Sequence, residues 1–310
     1  MEISTLRVTR TVVCLLLGIL AEVSFGNEQQ ANEFYQQQRW QQAADAYADL
    51  ANKDTKNFRA WFRLANAHIK LGNGQKALNA STRAAASPSI PKSYISYQQA
   101  QAYLLMDREV EMWDALDDAA ADGFNNPAVV ENNEIWAHVR QSEAFGKFLQ
   151  AVDRNVNPCA HDAHFSQFDF WLGKWSVYGN VEKTGPLYGR NHVEKTQNGC
   201  LIMEHWTGSG GTTGTSMNYY DGRRGKWVQN WVSAGGTIID YEGGLVNGSM
   251  VLLGTVHDIL VARGARQTRD FRGTWTLLRK GVVRQLFEES SDGGATWTVG
   301  FDGYYFPEEN

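Results

Sequence analysis

The glycines of this chain are placed unevenly, and that constrains its architecture more than any other feature. Of 30 glycines among 310 residues, 24 follow Pro158 and six precede it. Glycine opens the left-handed backbone region that tight turns need, and it weakens a helix interior by about 1 kcal/mol relative to alanine. The first half, rich in Ala and Gln, is therefore expected to be helical. The second half, rich in Gly, Trp, Thr and Val, is expected to be strands and turns. The fold class read from this switch is α+β in two domains, a helical domain over 27–154 and a β domain over 165–310. A polar linker containing Pro158 spans 155–164 between them.

Residues 1–26 read as an address rather than as part of the fold. Arg7 and Arg10 precede an apolar run, Thr11 to Ala21, which is 11 residues long. A membrane-spanning helix needs roughly 20. A basic start, a short apolar middle and the small residues Ser24 and Gly26 make a secretory signal, with cleavage after Gly26 or, alternatively, after Ala21. Cys14 follows Val13 rather than a small residue, so it is not read as a lipid-attachment site. The expected location is periplasmic or secreted, with no membrane span after signal removal. Outside the cytoplasm the two remaining cysteines, Cys159 and Cys200, read as a disulfide, with two separate thiols as the alternative. Lys and Arg number 29 against 34 Asp and Glu, a net charge of -5. Without a basic excess to neutralise phosphates, nucleic acid is not an expected partner.

The helical half repeats. Ala31, Ala65 and Ala100 recur at spacings of 34 and 35 residues. So do Phe34, His68 and Tyr103; Ala43, Ala77 and Met112; and Leu50, Ala84 and Ala119. A small residue at a fixed place lets the two helices of one unit approach closely, and larger residues fill the space between units. The extra residue falls in Ser87–Pro91, where two prolines break the helix in any case. Over about 28–122 this half resembles tetratricopeptide-repeat proteins, which stack helix pairs of this period. It departs from them at Met112, where the family has Ala, and in lacking a Trp at the fourth position of the third unit. Further helix over 126–155, with Trp136, Phe145 and Phe148, is expected to cap the open end of the stack. The resemblance implies a concave surface for a protein or peptide partner. The alternative is a spacer that only packs on the rest of the protein.

Ten short β segments follow, at 174–180, 187–196, 200–208, 214–221, 226–233, 237–245, 249–258, 267–279, 282–291 and 296–306. Asn198-Gly199, Asp221-Gly222, Asn247-Gly248, Lys280-Gly281 and Asp292-Gly293 supply hairpin chemistry between them. Tight junctions in sequence order predict an antiparallel up-and-down sheet, and with no helix to cover it the sheet is best closed into a barrel. Alternation then divides the faces. Trp227, Gln229 and Trp231 share one; so do Val283, Gln285 and Phe287; Trp297, Val299 and Phe301; and Ile202, Glu204 and Trp206. With the Trp-bearing faces turned inward, the expected ligand-binding lining is Glu204, Trp206, Asn218, Trp227, Gln229, Trp231 and Gln285. Aromatic walls with a few polar groups suit a small, largely apolar molecule. The alternative is a filled core in which the glutamines bond each other.

The segment Phe168-Asp169-Phe170-Trp171-Leu172-Gly173-Lys174-Trp175 resembles the F-D-F-W-x-G-x-W opening of a family of uncharacterised bacterial secreted proteins whose fold is taken to be lipocalin-like (calycin). Supporting pieces are Asn198-Gly199-Cys200, Glu204-His205-Trp206, Ser216-Met217-Asn218-Tyr219-Tyr220-Asp221, Trp227-Val228-Gln229-Asn230-Trp231 and Arg284-Gln285, so that the likeness covers about 159–306. It implies a barrel and a small apolar ligand, and it brings no established reaction.

Other constellations point elsewhere. Ser290-x-Asp292-x-Gly294-x-Thr296-Trp297 fits the Asp-box of sialidase-type propellers, but it occurs once and reads as a hairpin turn. The Gly208–Gly214 loop lacks the Lys of a phosphate loop and reads as a loop at the cavity mouth. Cys159, His161 and His164 have zinc-ligand chemistry, and His192, His205 or His257 could ligate haem. Neither is adopted, so no metal and no cofactor is expected. Hydrolase motifs are absent. Glu204, on the inner face, could serve as a general acid if burial raises its pKa, which leaves an enzyme as the alternative to a binding protein; the plainer reading of Glu204 is a hydrogen-bonded core carboxylate. A purely structural interaction protein with a filled barrel is the third reading.

Overall fold

A computed structural model describes residues 28–258, 268–279 and 281–308. The expected secretory signal over 1–26 lies outside the described residues. The chain divides into two compact units between Val156 and Asn157. Of the stretch 155–164, Asn155 and Val156 end the last helix of the first unit. Residues 157–164 carry one-turn 3-10 helices of the second unit.

The first unit is built from antiparallel helix pairs. Helix α1 covers 28–36. It is followed by α2 (Trp40–Lys53), α3 (Phe58–Lys70), α4 (Gly74–Ala84), α5 (Lys92–Leu104) and α6 (Glu109–Ala121). The pairs α1/α2, α3/α4 and α5/α6 correspond to the three repeats. The recurring small residues fall where helices touch: Ala31, Ala65, Ala100, Ala43, Ala77, Ala84 and Ala119 are all fully buried. Met112, the large residue in a small-residue place, is also fully buried, among Tyr97, Leu116 and Phe124. Helices α7 (Pro127–Glu131) and α8 (Glu143–Val156) then cover the last pair. Phe145, Phe148 and Val152 of α8 pack with Trp136 and Phe124, which closes the apolar end of the stack.

The second unit is a closed antiparallel barrel of ten strands. They are β1 (Gly173–Tyr178), β2 (Leu187–Thr196), β3 (Leu201–Gly208), β4 (Thr213–Asp221), β5 (Lys226–Ser233), β6 (Thr237–Val246), β7 (Ser249–Asp258), β8 (Thr268–Arg279), β9 (Val282–Ser290) and β10 (Thr298–Pro307). Each strand pairs with the next, and β10 pairs back on β1 with Trp175 opposite Pro307, so no edge is left open. Turn chemistry sets the register. Asn247 and Gly248 both adopt positive φ, as a two-residue hairpin turn requires, and place Val246 opposite Ser249. The Ser290–Trp297 segment is a hairpin as well. Asp292 accepts from the Thr296 amide at 2.9 Å and hydroxyl at 2.6 Å, while Ser290 Oγ accepts from the Gly294 amide at 2.9 Å. The two bonds from Thr296, with one from the Ser290 hydroxyl at 2.7 Å, hold the Asp292 carboxyl down at about 2.

One face assignment is overturned. Trp297, Val299 and Phe301 do not share a face, because a β-bulge between Val299 and Phe301 inserts Gly300 and reverses the alternation. Phe301 points into the lumen. Val299 is exposed, and Trp297 precedes β10, its ring under the Arg272 guanidinium at 4.3 Å.

One end of the barrel is filled by the segment that leads into β1. Phe168 and Trp171 sit fully buried inside, stacked at 5.0 Å, against Trp227 and Trp275. Trp175 Nε1 donates to the Trp171 carbonyl at 3.0 Å. Lys195 Nζ holds the segment from β2, donating to the Phe165 carbonyl at 3.0 Å and to Asp169 at 2.7 and 2.9 Å. The Cys159–Cys200 disulfide fastens the same segment to the residue before β3.

Candidate functional site

The interior is layered. Above the aromatic plug lies a polar layer centred on Glu204. Alternation on β3 turns Ile202, Glu204 and Trp206 inward, and Glu204 is 3% exposed. The neighbouring strands bring donors to it. Asn191 Nδ2 on β2 donates to Oε1 at 2.7 Å, and Ser216 Oγ on β4 donates to Oε2 at 2.6 Å. Gln229 Nε2 on β5 and Asn218 Nδ2 on β4 each donate to Ser216 Oγ at 2.9 Å. Tyr305 on β10 donates to the Gln285 carbonyl oxygen on β9. The two glutamines therefore bond to separate partners and not to each other.

Burial dominates the electrostatics of this layer. It pushes the Glu204 carboxyl up to about 7, with the bonds from Ser216 and Asn191 pulling partly the other way. Tyr241 and Tyr305 are raised well above the usual phenol range, first by burial and then by the Glu204 charge. Three amide oxygens of the layer, Asn191 Oδ1, Asn218 Oδ1 and Gln229 Oε1, are buried with no hydrogen-bond partner among the described residues. The layer is rich in acceptors and short of donors.

Between this layer and the other end of the barrel is a cavity of about 370 Å³. Glu204, Gln285 and Tyr305 face it, and Trp206, Trp231, Phe271, Phe287 and Phe301 wall it. Ile239 and Val256 complete the apolar surface, and Thr237, Arg269 and Glu289 stand toward the strand ends. Arg269 Nε donates to Glu289 at 2.6 Å. Glycine makes room for the rings. A side chain at Gly189 would strike Trp206, and one at Gly214 would strike Trp231. Each indole thus lies against a bare backbone on the neighbouring strand.

The seven residues expected to line the site separate by depth. Glu204, Trp206, Trp231 and Gln285 face the cavity. Asn218 and Gln229 are buried in the polar layer and do not face it. Trp227 belongs to the plug, where its Nε1 donates to Gln167 Oε1 at 3.1 Å. Sequence reasoning missed Tyr305, Asn191, Ser216 and Phe271. Ser216 carried no usable signal: the Gly208–Gly214 loop is centred on Gly211, which would set Glu204 opposite Asn218, and only the observed register sets it opposite Ser216.

The histidines point elsewhere. His192 and His205 pair across β2 and β3 on the outer surface, and His257 lies on the outer face of β7, bonded to Thr255 and Thr268. None faces the cavity, so none is placed to ligate haem there. Cys159 is committed to the disulfide, and His164 stacks on Tyr220 at 4.7 Å while bonding Asp162. Among the described residues no group of three or more His, Cys, Asp or Glu side chains is placed to hold a metal ion. No helix among them is long and apolar enough to cross a membrane.

The helical unit has a groove of its own, about 450 Å³, lined by α1, α3, α5 and α7. Tyr35, Phe62 and Tyr94 supply aromatic surface and Asn66, Gln98, Gln101 and Asn133 supply amides. Gln98 Nε2 donates to Asn66 Oδ1 at 2.8 Å and to the Phe62 carbonyl at 2.9 Å, leaving its buried carbonyl oxygen without a partner.

No family model matches the chain, and a comparison with the curated proteins finds no match. Among solved structures the chain is similar to the TPR2B-domain:pHsp70 complex of yeast Sti1, at 15% identity and a TM-score of 0.30, over 43% of this chain and 94% of that one.

Proposed function

We propose that this is an exported binding protein whose barrel holds one small apolar or amphipathic molecule and whose helical unit docks a protein or peptide in the bacterial envelope. The observation that carries the reading is the depth profile of the lumen. One end is filled by Phe168 and Trp171, the other holds a cavity of about 370 Å³, and between the polar floor of Glu204, Gln285 and Tyr305 and the Thr237, Arg269 and Glu289 side chains at the strand ends its walls are apolar. This volume lies within the roughly 300–1,000 Å³ of small-molecule sites. The likeness of the F-D-F-W-x-G-x-W segment to lipocalin-like secreted proteins, the basic and apolar first 26 residues and the disulfide all support the same reading. The groove along α1, α3, α5 and α7 supports the docking role.

Titration with 1-decanol while following Trp fluorescence tests it, since Trp206 and Trp231 wall the cavity. A saturable change is expected, and it should disappear in Val256→Trp, which fills the space. Native mass spectrometry on protein from its own envelope should show a retained small molecule. No saturable change together with no retained molecule would leave the barrel a structural module.

One observation favours an enzyme as a second reading: the Glu204 carboxyl, at about 7, is poised to exchange a proton near neutral pH. Should a turnover be found, Glu204→Gln should abolish it, and undiminished turnover removes Glu204 from the mechanism.

A further inference from the structure

The floor of the cavity is chemically one-sided, and its one-sidedness selects a ligand. Glu204 is the only acidic side chain there among the described residues, and no described Lys, Arg or His faces it. The cation of the cavity, Arg269, stands toward the strand ends and pairs with Glu289 at 2.6 Å. Behind Glu204 lie the three amide oxygens that lack donors, those of Asn191, Asn218 and Gln229. The rings of Trp206, Trp231, Phe287 and Phe301 line the same cavity. An anionic head brought to this floor would meet a carboxylate with no neutralising cation beside it among the described residues. A cationic head would meet its opposite charge at the floor and aromatic rings on the way in, and a cation lying over a ring face gains roughly 0.5–2 kcal/mol.

We propose that the barrel selects hydrophobic amines, binding a protonated ammonium head against the Glu204 carboxylate and the apolar body among Trp206, Trp231 and Phe301. This rests on the reading of the barrel as a vessel for a small molecule. The ammonium donates N–H bonds to the Glu204 oxygens, which already accept from Asn191, Ser216 and Gln229. Bound cation favours the charged form of Glu204, so binding releases a proton to solvent whenever Glu204 begins protonated. The two buried phenols near Glu204 do not compete in this range. Tyr241 and Tyr305 are held neutral well above pH 10, and Arg269 and Glu289 pair with each other. The neighbours on β2, β4, β5 and β9 are the uncharged Asn191, Ser216, Asn218, Gln229 and Gln285.

The test compares three probes that share a phenyl body: 2-phenylethylamine, 2-phenylethanol and 3-phenylpropionate. Calorimetry on the full chain at pH 7.5 should show the amine binding at least tenfold more tightly than the alcohol, and the carboxylate more weakly than either. Near pH 7, two buffers of different ionisation enthalpy should reveal release of about half a proton with the amine, since the Glu204 carboxyl sits at about 7. Amine affinity should fall as pH drops from 8 to 5.5, while alcohol affinity stays level. In Glu204→Gln the amine should lose its advantage and the alcohol should keep its affinity. Equal binding of amine and alcohol by the unaltered protein, or preference for the carboxylate, overturns the selection of a cation but leaves the vessel standing. Failure of the amine while 1-decanol still binds overturns it too. Failure of all probes, decanol included, overturns the vessel itself.

Discussion

The two ends of the barrel are lined by the same kinds of side chain and do opposite things with them. At one end Phe168, Trp171, Trp227 and Trp275 are packed ring on ring, with at most 2% of any of them exposed. At the other, Trp206, Trp231, Phe287 and Phe301 are only partly buried and line the cavity. Composition does not distinguish the ends. What does is the segment 165–172, which the chain folds into one mouth and not the other. A residue type thus becomes core or binding surface according to whether the chain itself supplies the filling, and a lumen closed at one end reads inward from aromatic wall to polar floor to plug.

The contrast is open to measurement. Trp171→Ala, which empties the plug, should destabilise the barrel by about 3–5 kcal/mol in chemical denaturation. A loss under about 1 kcal/mol would mean the plug is not packed as described. The disulfide pins that segment across a sequence separation of 41 residues. Cys159→Ser with Cys200→Ser should therefore cost about 3–4 kcal/mol, by restoring freedom to the unfolded chain. Between plug and mouth, Glu204 makes stability depend on pH. Its folded-state pKa of about 7 lies above the ordinary 4.5, so the folded protein binds the proton more tightly than the unfolded chain does. Stability is then highest below about pH 4.5 as far as this group is concerned, and about 3 kcal/mol is lost as pH rises through 7. Glu204→Gln should flatten that slope and leave the protein more stable than the unaltered chain at pH 8. Smallest of all, Trp206→Ala at the mouth should change stability by about 1 kcal/mol or less. A loss as large as that of Trp171→Ala would erase the distinction between the two ends.

Much of this was legible beforehand, for physical reasons. The repeat of Ala31, Ala65 and Ala100 placed the helix contacts because small residues recur wherever backbones approach. Hairpin residues such as Asn247-Gly248 bounded the strands because few other residues tolerate positive φ. Alternation oriented Glu204, Trp231 and Gln285, since neighbouring side chains on a strand cannot share a face. The failures have equally definite causes. Gly300 reads like any strand glycine, and only the pairing of β9 with β10 reveals the bulge that turns Val299 outward. Depth along the lumen is invisible to alternation, so Trp227 and Trp231, four residues apart on one face, were indistinguishable although one is plug and the other wall. Asn191 lies in the polar run Arg190-Asn191-His192, which gives no sign of which side turns inward. Gly189 and Gly214 contributed to the composition signal as turn residues, yet both lie within strands, where they make room for indoles.

Closure of the sheet has a consequence for how the protein is made. β1 finds one of its two partners in β10, which leaves the ribosome more than a hundred residues later. Until that strand arrives the seam must wait, and a nascent barrel carries unpaired backbone and uncovered aromatic rings. The helical unit, whose contacts join neighbours in the chain, can consolidate during synthesis. The two halves of one polypeptide therefore differ in when they need protection, and the barrel is the half for which a holding chaperone would matter.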